Sequence, residues 1–292
     1  HAALAGAQVG FAFFPILGKL VLLSIPPLLF AAFRVTAAAA LLEGFRRLQG
    51  PRERILRADV PRIVLYGLLG VSFNQVLFIL GLNWTTAINT SVLTATIPVF
   101  TLGAAVLLGR ERMSPRAAAG IALAGSGALV LLHAQGFDWS SASFRGDVLL
   151  LANCTSYSLY LVLSRPVLAR YRVATFTAAV FRYGAILIVL LALPQLRLFA
   201  PAGVPALAWF SLAGVILLCT VIPYLLNSWA LARTEASRVA FYVFLQPLIS
   251  TILAIAILGE ALSTRVVVAA LLICAGLGVS VFRRRLPSRP IP

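Results

Sequence analysis

From Val266 to Val281 the chain carries no charged residue, and apolar runs of similar length recur along it, divided by short gaps that hold most of the charges. About 20 such residues are what a helix needs to cross the hydrocarbon core of a bilayer. Only 11% of the 292 residues are charged and 61% are hydrophobic, whereas a soluble domain carries about a quarter charged residues. That share cannot cover a water-facing surface, so apolar surface must face lipid, in line with a mean hydropathy of +1.00. Lipid offers no partner to a free backbone group, which leaves helices or a closed barrel. Barrel strands alternate apolar and polar residues over about ten positions, and these runs do not alternate. The expected fold is an all-α integral membrane protein, with the lipid bilayer as its solvent.

Ten transmembrane helices are expected, near residues 3–23, 27–45, 62–82, 86–108, 115–133, 147–168, 174–195, 206–231, 237–258 and 265–282. With the N-terminus inside, cytoplasmic segments hold 18 of the 24 Lys and Arg residues, including Arg46, Arg47, Arg52, Arg54, Arg57, Arg62, Arg110, Arg112, Arg116 and Arg283 to Arg285. External segments hold four, Lys19, Arg145, Arg197 and Arg265. The excess of positive charge inside places both termini in the cytoplasm. Removing one span would exchange the sides of every later loop and destroy the bias. The net charge of +16 is therefore topological, and a nucleic-acid partner is excluded. Cys154, Cys219 and Cys274 sit singly in apolar runs, without metal-ligand spacing. No signal peptide is expected, because further spans follow the first. The chain opens on His1 rather than Met, so native residues are expected before it.

The two halves repeat each other. Pro98 matches Pro247 at an offset of 247 − 98 = 149, and the same offset pairs Leu82 with Leu231, Thr85 with Thr234, Ala87 with Ala236, Glu111 with Glu260, Ser114 with Ser263 and Gly127 with Gly276. Ala-Ala-Phe-Arg ending at Arg34 matches Ala-Val-Phe-Arg ending at Arg182, and Gly18-Lys19 aligns with Ser164-Arg165. The expected units are 1–135 and 146–284, followed by a cytoplasmic tail at 285–292. A unit of five spans is odd, so the second copy enters the membrane from the opposite side. Inverted repeats of this kind typify secondary transporters, with a site near the midplane between the halves.

Segments in both halves now carry a resemblance. LLGRERMSPRAAAGIALAGSGALVLL (107–132) is similar to a Gly-Glu pair followed by a Gly-rich helix, with Arg110 interposed between Gly109 and Glu111. LQPLISTILAIAILGEALSTR (245–265) is a closer match, and Arg34 resembles an arginine common in the second span. On these motifs the chain resembles the EamA-type drug/metabolite transporters over nearly its whole length. The resemblance implies two five-helix EamA repeats around a central cavity lined by the first, third, fourth, sixth, eighth and ninth spans. It also implies alternating access, a bacterial inner membrane and export of small metabolites such as amino acids.

Polar residues in those spans are the substrate-cavity candidates: Asn74 and Gln75; Asn153, Tyr157 and Tyr160; Tyr224, Asn227 and Trp229; Tyr242 and Gln246. Asn153, Tyr157 and Tyr160 share one helix face, as do Tyr224 with Asn227 and Tyr242 with Gln246. Such residues either hold orienting hydrogen bonds in a mostly apolar pocket or bond helix to helix. Arg34 and Arg182 are intramembrane charges, each about eight residues or roughly 12 Å into its span. A charge there is costly, which points to an anion contact, an inter-helix clamp or a snorkelling side chain. Pro98 and Pro247 are hinge candidates that remove a backbone donor inside a span, and Pro223 and Pro15 do the same in the eighth and first. Gly120, Gly125 and Gly127 of the fifth span and Gly276 and Gly278 of the tenth suggest close packing within one monomer.

Of the eight acidic residues none falls mid-span in this reading. A cation pump or a proton relay would want one there, so the expected substrate is neutral, zwitterionic or weakly anionic. Drug efflux and phosphorylated-metabolite exchange are alternatives within the same fold, and the latter would want more buried basic residues than two. A channel is a more distant reading. An intramembrane enzyme is not expected: the only histidines are His1 and His133, and no catalytic residue, metal site or cofactor is foreseen.

Overall fold

The computed structural model describes residues 2–49, 53–110, 114–133, 138–197, 199–234 and 236–281, and every regular element among them is helical. Helices α1 to α4 are Ala2–Leu22, Pro27–Leu48, Arg57–Trp84 and Ala87–Leu107, and α5 is Pro115–His133. Helices α6 to α8 are Ala142–Leu168, Val173–Leu196 and Ala206–Leu231. Element α9 covers 236–258 as joined α, 3-10 and π turns, and α10 is Thr264–Val281. Seven helices, α1–α4 and α6–α8, are long and apolar enough to cross a membrane. Shorter apolar stretches occupy Ala118–Leu132, Leu245–Leu258 and Thr264–Gly276. The 285–292 tail, Glu111, Glu235, Arg52, Arg112, Arg283 to Arg285 and Arg289 lie outside the described residues, as do the side chains of His133 and Arg238.

Two helices begin earlier than hydropathy foresaw. Helix α6 starts at Ala142 because Ser141 caps it, its hydroxyl accepting the Phe144 N–H at 3.4 Å. Its first turn is polar, which an apolar window cannot see. Helix α3 starts at Arg57, in a turn held by the buried Asp59 carboxylate. That carboxylate accepts Arg170 Nη2 at 2.9 Å and the Tyr171 hydroxyl at 2.6 Å. The longer α6 leaves its acid near a span end rather than mid-span, but buries it. Asp147 lies in its second turn and is 0% exposed, and neither carboxylate oxygen has a hydrogen-bond partner.

Matched irregularities mark the two halves. Helices α3 and α8 each contain a π turn, Leu68–Phe73 and Leu217–Val221, starting 217 − 68 = 149 residues apart. Helix α4 and element α9 each break just ahead of Pro98 and Pro247. Each then ends on a glycine with positive φ, 66° at Gly109 and 67° at Gly259, a conformation that glycine adopts without steric cost. That spacing is 259 − 109 = 150, the extra residue being Arg110. Lys19 Nζ donates to the Thr85 carbonyl at 2.5 Å, and its counterpart Arg165 Nε donates to the Thr234 carbonyl at 2.8 Å.

Helix α2 packs along α7, α3 along α6 and α5 along α10. In the last pair Gly127 and Gly276 let the backbones touch: a Cβ on Gly276 would sit 2.6 Å from the Gly120 carbonyl oxygen. Those glycines serve packing within the monomer, one of the two uses open to small residues in membranes.

Candidate substrate site

The site forms where the irregular stretches of α3 and α8 meet α1 and α2. Arg34 projects from α2 and is 1% exposed. Its guanidinium carbon lies 3.7 Å from the centroid of the Phe14 ring. Nε donates to Thr220 Oγ1 at 2.6 Å, Nη2 to the Cys219 carbonyl at 3.4 Å, and Nη1 to Gln75 Oε1. Helix α8 supplies two of these acceptors for a local reason. Pro223 has no N–H, so the Cys219 carbonyl four residues earlier lacks its helical donor. The Thr220 hydroxyl donates across the π turn to the Val215 carbonyl at 2.7 Å, leaving its oxygen free to accept. All these acceptors are neutral, and among the described residues no carboxylate pairs with Arg34. Charge-assisted bonds of this kind are worth about 1.5–3 kcal/mol each, yet the positive charge stays uncompensated.

A polar network continues from Gln75. Its Nε2 donates to Asn74 Oδ1 at 2.9 Å and to the Tyr224 hydroxyl at 2.8 Å. Asn153 Nδ2 donates to the Asn74 carbonyl at 2.7 Å, and Asn227 Nδ2 to the Tyr157 hydroxyl at 2.7 Å. Tyr224 stands edge-on to Phe11, Phe181 and Tyr157. A cavity of about 60 Å³ opens among Gln8, Phe11, Phe14, Arg34, Asn74, Gln75, Phe78, Thr94, Asn153, Tyr157, Tyr224, Val243 and Gln246. That volume holds a few waters, whereas a small-molecule site needs about 300 Å³ or more. Binding a metabolite therefore requires the helices around it to separate. Thr94 and Val243 lie four residues before Pro98 and Pro247, so each proline removes the donor its carbonyl would have had.

Of the residues foreseen from sequence, Arg34, Asn74, Gln75, Asn153, Tyr157, Tyr224 and Gln246 line this cavity. Asn227 and Tyr160 stand behind Tyr157, through the hydrogen bond to Asn227 and a stacked contact with Tyr160 at 5.8 Å. Pro98 and Pro247 are buried at the starts of their helical segments, and Tyr242 occupies a half-buried 3-10 turn beside them. Trp229 is placed elsewhere. It is 46% exposed and lies 4.2 Å from the Arg233 guanidinium, because two positions from Asn227 is the other side of a helix. Arg182 is also exposed, beside the Tyr183 ring at 5.1 Å. The two matched arginines face different ways: Arg34 is buried where Thr36 is exposed, whereas Arg182 is exposed and Gly184, two positions on, packs against Val71. The sequence reading passed over Gln8, whose Oε1 accepts Gln246 Nε2 at 2.6 Å. A glutamine within an apolar run was the available signal. It also passed over Thr220, which nothing in its neighbourhood singles out.

Known proteins extend the picture. The EamA-like transporter family matches residues 2–133 and 144–282. An uncharacterized transporter of Archaeoglobus fulgidus is 32% identical over 198 residues, covering 66% of this chain and 66% of its own length. A probable terminal-alkyne amino-acid exporter of Streptantibioticus cattleyicolor is 34% identical over 243 residues, covering 82% of this chain and 76% of its own. One solved crystal structure superposes with a TM-score of 0.69 over 96% of this chain and 97% of that one, at 19% identity, and so shares the fold. The chain belongs to the EamA-like transporter family and is an integral membrane transporter rather than an enzyme.

Proposed function

We propose that the protein exports or exchanges small carboxylate-bearing metabolites, amino acids foremost, by alternating access. Arg34 carries this reading. It is a buried cation on the wall of the cavity, ringed by neutral acceptors, and a substrate carboxylate is the group that would compensate its charge. Asn74, Asn153, Tyr157 and Gln246 would orient the rest of the molecule. The amino-acid exporter among the relatives supports the same class.

The proposed frame is ten spans, α1 to α10, arranged as two inverted five-helix repeats at 1–135 and 146–284. Both termini face the cytoplasm of a bacterial cell whose inner membrane holds the protein as a monomer. The matched π turns, the matched glycine ends and the paired Lys19–Thr85 and Arg165–Thr234 contacts support it. The three shorter helices are counted as spans because each repeats, or is repeated by, a partner in the other half. Rocking of one half against the other would widen the cavity from alternate sides.

The test is ligand stabilisation of the purified protein, since a ligand of the folded state raises apparent stability. Amino acids should raise the melting temperature, and the corresponding amines without a carboxylate should not. Equal stabilisation by amine and amino acid would remove the carboxylate reading.

A further inference from the structure

Arg182 is the intramembrane charge that the substrate cavity leaves out. It sits nine residues into α7, about 14 Å along the helix, and opens onto a cleft of about 500 Å³ between α2, α7 and the 53–60 segment. Glu43, Arg46, Glu53, Arg54 and Arg182 line the cleft, and Ile55 gives it an apolar wall. Both acids are engaged. Glu43 is held by Arg46 through two bonds of 2.8 and 2.5 Å, and Glu53 accepts the Arg172 backbone N–H at 3.0 Å. Arg54 and Arg182 form no ion pair among the described residues. With three arginines against two glutamates, the lining carries one net positive charge.

An arginine this far along a membrane helix stays charged at a cost unless something compensates it. The protein does not, since Arg182 is on the exposed face of α7 and no described carboxylate pairs with it. Basic pockets between membrane helices take anionic lipid headgroups, and a guanidinium pairs bidentately with phosphate oxygens. The cleft has the matching profile: two guanidinium groups without an ion pair among the described residues, a net positive lining and an apolar wall for the start of an acyl chain.

We propose that this cleft binds a phosphate group between Arg54 and Arg182, supplied by the headgroup of an anionic phospholipid. The site is separate from the Arg34 cavity and does not depend on what that cavity carries.

The experiment measures melting of the full chain in detergent against added phosphatidylglycerol, diacylglycerol and glycerol 3-phosphate, with Arg182→Gln and Arg54→Gln as variants. Phosphatidylglycerol should raise the melting temperature where diacylglycerol does not. Each variant should weaken that response about tenfold or more, the loss expected for one charge-assisted bond. Both side chains are exposed, so the variants are expected to fold. Stabilisation by glycerol 3-phosphate alone, abolished by Arg182→Gln, would keep the phosphate site and overturn its assignment to lipid. Equal responses to phosphatidylglycerol and diacylglycerol, or variants that respond like the wild type, would overturn the site.

Discussion

Gln75 and Tyr224 occupy the same position in the two halves of the chain (224 − 75 = 149) and hydrogen-bond to each other at 2.8 Å. Residues at matched positions of a repeated unit can touch only where the units meet. The Gln75 side chain also accepts from Arg34, so the buried cation sits at that junction. A site there feels any movement of one half against the other.

Gln75→Leu should cost stability and transport together. It removes the acceptor of Arg34 Nη1 and the donor to Tyr224, leaving buried polar groups unpaired at about 1–3 kcal/mol. Tyr224→Phe keeps the ring contacts with Phe11 and Phe181 and loses only the hydroxyl, so its cost should be near 1 kcal/mol. Thermal unfolding of the two variants checks the order.

Arg34→Lys should raise the transport KM about tenfold at normal expression. An ammonium is a compact point charge and cannot reproduce the planar fork that reaches Thr220, Gln75 and the Cys219 carbonyl. Unchanged kinetics would remove Arg34 from substrate contact.

Glu260→Gln should loosen one end of the bundle. The Glu260 carboxylate accepts the Ala87 and Ile88 N–H groups at 2.7 and 2.9 Å, tying the α9–α10 connection to the start of α4 across the halves. A carboxylate at a helix N-terminus gains about 0.3–1 kcal/mol from the dipole, and the amide forfeits that together with the charge-assisted bonds. Thiol labelling of Asn153→Cys should then accelerate from the Glu260 end of the bundle only.

Gly276→Leu should unfold α10 from α5. A Cβ alone would stand 2.6 Å from the Gly120 carbonyl oxygen and from the Ala124 nitrogen, and overpacking of this kind costs about 1–3 kcal/mol or more. Gly278→Ala, with nothing within 4 Å of its Cβ, is the control that should melt like the wild type.

Asp147→Asn should be at least as stable as the parent near neutral pH. A buried carboxylate without a hydrogen-bond partner is costly when charged, and a neutral amide of equal size removes that cost. Thr85 and Asn89 lie beside the group, and either can pair with the amide. A large loss of stability in the melting curve would mean that Asp147 bonds to something beyond those two.

Much of the site was legible because polar residues in apolar runs are conspicuous. Asn74, Gln75, Asn153 and Tyr224 stand out against Leu and Val, and all four line the cavity. The prolines were legible through the carbonyl each one frees, since Pro223 releases the Cys219 carbonyl that Arg34 then takes. What escaped depended on partners. Nothing near Arg182 in sequence tells that α7 turns Gly184, not Arg182, toward its packed neighbours. Trp229 is close to Asn227 along the chain, but two helical steps carry it outward. The burial of Asp147 was not legible because the polar turn that begins α6 lowers the hydropathy there, although Ser141 is a capping residue in plain view.

Counterflow in proteoliposomes tests the carrier and its site together. Vesicles loaded with an unlabelled amino acid that stabilises the protein should take up the labelled compound faster than empty ones, and Arg34→Lys should lose most of that acceleration at working concentrations. Uptake that is equally fast into loaded and empty vesicles would describe an open pore and contradict a cavity that opens to one side at a time.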